Sequence, residues 1–204
     1  MRPEEKQQAI DRYAARLAKL GPTAQALGWR DSAQQRLRFD VLASLARLQS
    51  GNSILDIGCG FADLYDYLRE HDIDVEYTGC DLVPEVLAVA RCRHDGLTLE
   101  QRDVLEQPYA KTSFDHVFIS GIFNHHLRDN VEFLERMLRS AFETSRLSVC
   151  ANMTTDRVDY RDEHLFYFAP ADVLNSCLSL TRHVALRHDY PLYEFSVFLY
   201  RTAQ

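Results

Sequence analysis

The segment Ile54-Leu55-Asp56-Ile57-Gly58-Cys59-Gly60-Phe61-Ala62-Asp63 constrains the fold more than any other part of the chain. A short apolar run ends in an acid, and a Gly-x-Gly turn then opens onto a helical pattern. Glycine allows a tight turn and lets a ligand approach the backbone closely. The rest of the chain fits the same layered plan. Strand-like runs at 53–57, 75–80, 97–101, 114–120, 146–151, 184–187 and 194–200 alternate with helical patterns at 61–70, 84–93, 130–143 and 170–178. Pro84 suits a first helical turn, where a missing N–H costs nothing. This alternation predicts an α/β domain with a Rossmann-like, doubly wound, mostly parallel sheet. The last two runs are joined only by 188–193. A parallel crossover needs about a dozen residues or more, so the last strand is expected to run antiparallel.

Upstream of this alternation lie two helical patterns. The first, 4–20, repeats Ile10, Tyr13, Ala14, Leu17 and Leu20 at helical spacing and stops at Gly21-Pro22. The second starts at Ser32, where Ser32 and Gln35 have the spacing of a capping box, and carries Leu37, Val41, Leu45 and Leu48 as an apolar stripe. Neither has a strand partner. Residues 1–50 are therefore expected to form a helical extension or lid, and 51–204 the α/β domain. With 204 residues, 46% of them apolar and 11% aromatic, the chain is suited to one well-filled core.

A doubly wound sheet binds ligands beyond the carboxyl ends of its strands. A dinucleotide fingerprint would place a third glycine at 63, but Asp63 stands there. Its charge would repel a pyrophosphate, which argues against NAD and FAD. Acids at Asp56 and Asp63 suit a cationic ligand without phosphate. Asp81 ends the second strand-like run, where a carboxylate can take both ribose hydroxyls. Asp103 follows the third, where it can accept from an adenine amino group between Leu82 and Val104. Taken singly, Asp56 and Asp81 also read as helix caps and Asp103 as a loop residue. As an ordered set on one sheet edge they read as a ligand site.

At these residues the sequence resembles the class I S-adenosylmethionine-dependent methyltransferase superfamily, from Ser53 to the C-terminus. Leu55-Asp56-Ile57-Gly58-Cys59-Gly60 resembles its first motif, Gly79-Cys80-Asp81-Leu82 its ribose motif and Gln101-Arg102-Asp103-Val104 its adenine motif. Phe114-Asp115-His116-Val117-Phe118-Ile119-Ser120-Gly121 resembles its fourth-strand motif, which lines the methionine end. The resemblance implies a seven-stranded sheet with an antiparallel last strand, and S-adenosyl-L-methionine as methyl donor. By size, the chain resembles the compact bacterial members that act on small molecules.

Methyl transfer is an in-line displacement, so the protein mainly orients the reactants. The loop Ser120–His126 follows the fourth strand, and His125 and His126 are candidate bases there. They also read as ordinary loop histidines or caps of the next helix. On the second helix Gln35 and Arg38 share a face. Arg38 is the candidate for the methionine carboxylate, since a guanidinium matches a carboxylate bidentately. Trp29 precedes that helix as a lid or core residue. The loop 152–168 carries Tyr160, Arg161 and His164, candidates for the acceptor wall. No His, Asp or Glu spacing points to a metal.

A net charge of −7 without a Lys/Arg run argues against nucleic acid. The N-terminus has no apolar signal core, and no stretch approaches the ~18 apolar residues of a membrane span. The five cysteines form no C-x-x-C pair and read as reduced thiols of a cytoplasmic protein. Oligomeric state is not legible. The expected function is methyl transfer to a small-molecule N, O or C atom. The alternative is a non-catalytic adenosylmethionine-binding regulator on the same fold.

Overall fold

A computed structural model describes residues 1–203; Gln204, the last residue of the expected 51–204 domain, lies outside them. Among the described residues seven strands form one sheet, in chain order β1 (Ser53–Ile57), β2 (Glu76–Asp81), β3 (Thr98–Gln101), β4 (Phe114–Ile119), β5 (Ser145–Thr154), β6 (Val184–Arg187) and β7 (Glu194–Tyr200). The spatial order is β3-β2-β1-β4-β5-β7-β6. Strands β1 to β5 pair in parallel, while β7 runs antiparallel to both β5 and β6. This is the Rossmann-like, doubly wound sheet with an antiparallel last strand that the alternation and the short last connection predicted, and it has the seven strands that the resemblance implied. The strand order reverses between β1 and β4, which opens a crevice at their carboxyl ends.

The helices are α1 (Pro3–Leu20), α2 (Ser32–Ala46), α3 (Asp63–Glu70), α4 (Pro84–Arg93), α5 (Asn130–Thr144) and α6 (Pro170–Leu178). Side chains alternate across the sheet with period two. Leu55, Ile57, Val117 and Ile119 point to one face, where Phe133, Leu134 and Met137 of α5 and Val173 of α6 cover them. Ile54, Phe118 and Cys150 point to the other, beneath α2, α3 and α4. Thus α2 belongs to a helical layer of the sheet, although 1–50 was read as one extension. It packs on β5 and β7 and buries Phe39, Val41, Leu42 and Ala46. By contrast, every residue of α1 keeps some exposure; its Ile10, Tyr13, Ala14 and Leu17 lie on a small cluster of Ala26, Phe61, Val83 and Val86.

Three local expectations are corrected. Asp31, not Ser32, caps α2 by accepting from the Gln34 N–H at 2.8 Å, because an ionised carboxylate is the stronger acceptor. This leaves the Gln35 side chain free for Asp63, so the capping box does not form. Helix α3 starts at Asp63 rather than 61, since Ala62 takes a left-handed φ of 64° to finish the glycine turn. Strand β5 runs on to Thr154 because the antiparallel β7 pairs with it along its whole upper half.

One buried ion pair joins α2 to β7. Arg38 grips Glu194 through Nε at 2.9 and 3.0 Å and through Nη2, with side-chain exposures of only 8% and 7%. Removing one partner leaves the other charge buried and unpaired. Glu194→Ala is expected to cost about 3–5 kcal/mol in urea unfolding, while the paired replacement Arg38→Met with Glu194→Leu recovers most of that loss. Equal losses in the two variants would mean that the pair's packing, and not its charge, matters there.

Candidate functional site

A cavity of about 260 Å³ occupies the crevice. Its floor is the set of loops that end β1 to β4. Its roof is α1, the 21–31 segment and the start of α2, through Tyr13, Leu27, Trp29, Gln35 and Phe39. The expected residues Asp56, Gly58, Cys59, Gly60, Asp81, Leu82, Asp103, Val104 and Ser120 all line it.

The glycine turn is built for close approach. Gly58 and Gly60 have φ of 77° and 57°, where an L side chain is strained. A Cβ on Gly58 would lie 2.5 Å from Ile122, and one on Gly60 2.8 Å from Leu27. The turn is also fastened to β2. The N–H groups of Gly58 and Cys59 donate to the Cys80 carbonyl at 2.8 and 3.0 Å. Asp81 accepts from Gly60 N–H through Oδ2 and from Val83 N–H through Oδ1, both at 3.0 Å. Each oxygen keeps a further lone pair for a ligand hydroxyl. Asp81 therefore shapes the turn and faces the cavity at once.

Asp56 lies beneath the turn and is 4% exposed. Tyr77 donates to it at 2.7 Å. Burial pushes its carboxyl up to about 7, against the Tyr77 bond, and Asp81 and Asp63 act in the same direction as burial. Burial also raises Asp81, against backbone bonds from Val83, Gly60 and Leu82. Two carboxyls at a desolvated spot favour a cation. The sulfonium and ammonium groups of adenosylmethionine fit that demand, and the glycine cradle fits its close approach. Asp103 meets α1 instead: Lys6 Nζ lies 2.7 Å from its Oδ2, while Leu105 N–H donates to Oδ1.

His125 reaches the cavity, and its Nε2 lies 3.0 Å from the Tyr13 hydroxyl. Burial pushes its imidazole down to about 4, helped by Arg12 and Arg16 and opposed by the His164 backbone. The ring is therefore neutral at pH 7. Its neighbour His126 points away; it is exposed, packs edge-on against Phe166 and does not line the cavity. Adjacent residues of an extended loop face opposite sides, so only one histidine of the pair can enter.

Other expected residues also stand elsewhere. Arg38 is consumed by Glu194 and by the Gln34 carbonyl, and its guanidinium lies 4.3 Å over the Trp29 ring. It does not line the cavity. Tyr160, Arg161 and His164 sit on the exposed outer loop, with Tyr160 81% exposed, and none lines the cavity. Phe166 and Phe168 anchor that loop: Phe166 N–H donates to the Asn124 carbonyl, and Phe168 packs on Phe123. The loop thus braces the His125 segment from outside. Trp29 does line the cavity and covers Gly121, where a Cβ would lie 2.5 Å from the ring. Gln35 donates to Asp63 at 2.8 Å.

The sequence reading missed Tyr13, Lys6, Leu27, Phe39 and Asn152. Asn152 is buried, accepts from Gly121 N–H and donates towards Ser120 and Glu194. Tyr13 sits in the apolar stripe of α1, and the one available signal was a hydroxyl on that stripe. Among the described residues no His, Cys, Asp and Glu group could hold a metal, and no helix is long and apolar enough to cross a membrane.

The methyltransferase domain family matches residues 54–142. The Mycobacterium tuberculosis protein named "Putative methyltransferase Rv1506c" is 32% identical over 153 residues, covering 71% of this chain and 90% of that one. The demethylmenaquinone methyltransferase of Deinococcus radiodurans is 33% identical over 124 residues, or 59% of this chain and 47% of that one. Magnesium protoporphyrin IX methyltransferase from Synechocystis PCC 6803, solved with bound SAM, shares the fold at a TM-score of 0.63 and 15% identity. That match covers 82% of this chain and 80% of that one. The chain belongs to the class I S-adenosylmethionine-dependent methyltransferases, and its cofactor is S-adenosylmethionine.

The raised Asp56 has a stability consequence. An unfolded Asp ionises near pH 4, whereas folded Asp56 keeps its proton up to about 7. The native state then binds more protons between these values. Its contribution to stability is full below pH 4 and is lost as pH rises to about 7. Asp56→Asn removes this term, so its stability relative to wild type should rise by on the order of a few kcal/mol from pH 4 to 8. Urea titrations across that range check it; parallel pH curves for the two proteins would refute the assignment.

Proposed function

We propose that this chain transfers the methyl group of adenosylmethionine to a small-molecule acceptor at an N, O or C atom. The roof over the cavity carries this reading. A floor of three strand-end acids and a glycine turn lies under a roof made by α1 and Trp29. A macromolecular acceptor would have to lift that roof, whereas a small one can sit beneath it. The net charge of −7 also disfavours a nucleic acid acceptor. In this reading α1 and the 21–31 segment act as a lid. Lys6 holds it to Asp103, and Glu5 holds it by accepting from Arg128 N–H.

When bound, adenosylmethionine supplies an electrophilic methyl carbon on a sulfonium. The protein's share is placement. Asp81 takes the ribose hydroxyls, Asp103 the adenine amino group, and Leu82 and Val104 flank the ring. Gly58, Cys59 and Gly60 accommodate the methionine part above the Asp56 carboxylate. His125 is the candidate base for an acceptor that must lose a proton. The five unpaired cysteines, four of them buried, fit a reducing, cytoplasmic setting.

Adenosylhomocysteine should stabilise the protein by about 2.7 kcal/mol at 100 times its Kd, read as a thermal shift. No shift at millimolar ligand would remove the basis of the reading. Asp81→Ala should weaken that binding at least about tenfold by calorimetry, since bonds to a charged group are worth roughly 1.5–3 kcal/mol. An unchanged affinity would reduce Asp81 to a turn-forming residue. Supplied with adenosylmethionine, the protein should methylate members of a metabolite set and leave total RNA unmodified; the converse pattern would overturn the small-molecule assignment.

A further inference from the structure

We propose that Tyr13 is a catalytic residue: its hydroxyl takes the proton from the methyl acceptor and passes its own to Nε2 of His125. This rests on the methyl-transfer reading above and adds a residue from the lid helix to the reaction.

The argument is one of access. His125 has two ring nitrogens. Nδ1 is shut off from solvent. Nε2 is covered by the Tyr13 hydroxyl at 3.0 Å. Neither nitrogen is open to an acceptor in the cavity. Tyr13 itself lines the cavity, so a proton bound for His125 has to pass through its hydroxyl. The rings meet edge-on, with centroids 5.8 Å apart, which holds the hydroxyl on the imidazole edge where the Nε2 lone pair lies.

Burial, with the positive charge of Arg12 and Arg16, keeps the imidazole unprotonated at neutral pH, so that one ring nitrogen holds a lone pair for the Tyr13 proton. The His164 backbone opposes them and favours a proton on the ring once one arrives. Tyr13 is raised above its ordinary value by burial and by Asp81, so it carries its proton and acts as a relay and not as a phenolate.

The balance closes. A lone pair on the acceptor's N, O or S atom forms the new bond to the methyl carbon, and the carbon–sulfur pair leaves with sulfur. The acceptor's proton moves to Tyr13 Oη while the Tyr13 proton moves to Nε2. One positive charge disappears from sulfur and one appears on imidazole. A weakly basic imidazole can accept at that moment because the nearby sulfonium charge is lost in the same step. The pair therefore suits acceptors that carry an exchangeable proton, such as phenols, thiols and neutral amines. Because Tyr13 belongs to α1, the relay exists only with the lid closed.

The first test needs no acceptor. In protein labelled with ¹⁵N-histidine, at pH 7 with adenosylhomocysteine bound, the His125 signals are assigned by comparison with His125→Gln. The relay requires the neutral Nδ1–H tautomer, with Nε2 accepting from Tyr13, and Tyr13→Phe should shift the ring towards Nε2–H. An Nε2–H tautomer in the wild type would overturn the proposal, because that nitrogen could not then accept. The second test measures transfer to a phenol, an alkyl thiol and a primary alkylamine. On any that is methylated, Tyr13→Phe and His125→Gln should each lower kcat by about 10²–10⁴-fold. Adenosylhomocysteine affinity should stay within about threefold. Unchanged kcat in Tyr13→Phe would overturn the relay, and if none of the three is methylated the tautomer alone decides. Failure of wild-type protein to bind adenosylhomocysteine would instead sink the methyl-transfer reading.

Discussion

The fastening of the β1 turn to the end of β2 is the constraint on which the site depends. Two turn N–H groups donate to the Cys80 carbonyl, and the Gly60 N–H donates to Asp81. These bonds hold a backbone with positive φ at Gly58 and Gly60 in one shape. They also set the distance between the turn and the Asp81 carboxylate. The parallel register of β1 with β2 makes this possible, because Ile57 pairs with Cys80 and so ends the two strands at the same level.

That geometry collects negative charge where water is excluded. Asp56, Asp81 and Asp63 lie close enough for the other two to act on Asp56. A chain without a cationic ligand bears this as an electrostatic load, and burial raises both Asp56 and Asp81. Arg93 and Gln35 tie down Asp63, and Lys6 ties down Asp103. Among the described residues Asp56 has only Tyr77, a neutral donor. The uncompensated acid thus sits under the turn, and the pH dependence of stability follows from its burial.

The roof is held by a different kind of contact. Helix α1 packs a thin apolar stripe on a small cluster and adds polar ties from Glu5 and Lys6 near its N-terminus. Such an element opens at low cost, since it buries little apolar surface. Helix α2 is fixed by core packing and by the Arg38–Glu194 pair. The two N-terminal helices therefore differ in kind: one is lightly held, and the other anchors the wall from which Trp29 leans on Gly121.

The fold and the floor of the site were legible because both depend on local patterns. Period-two and helical stripes identified the elements, the short connection 188–193 set the direction of β7, and strand-end acids reported the crevice. Each signal concerns residues near one another in the chain. Arg38 and His126 stand away from the cavity because their partners, Glu194 and Phe166, are far away in sequence, and Tyr160, Arg161 and His164 because the loop that carries them lies on the outside. Glu194 claims Arg38 only after β7 inserts beside β5, and no local rule announces that pair. Which of two adjacent histidines faces inward depends on how the Phe166–Phe168 anchor sets the loop. Tyr13 meets His125 across 112 positions of sequence, once α1 lies over the crevice. The sequence by itself determined the sheet, the glycine turn and the three acids, because backbone geometry and strand-end position suffice for them. Tertiary structure alone decided which side chains close over the ligand, because that depends on long-range packing and on competition for charged partners.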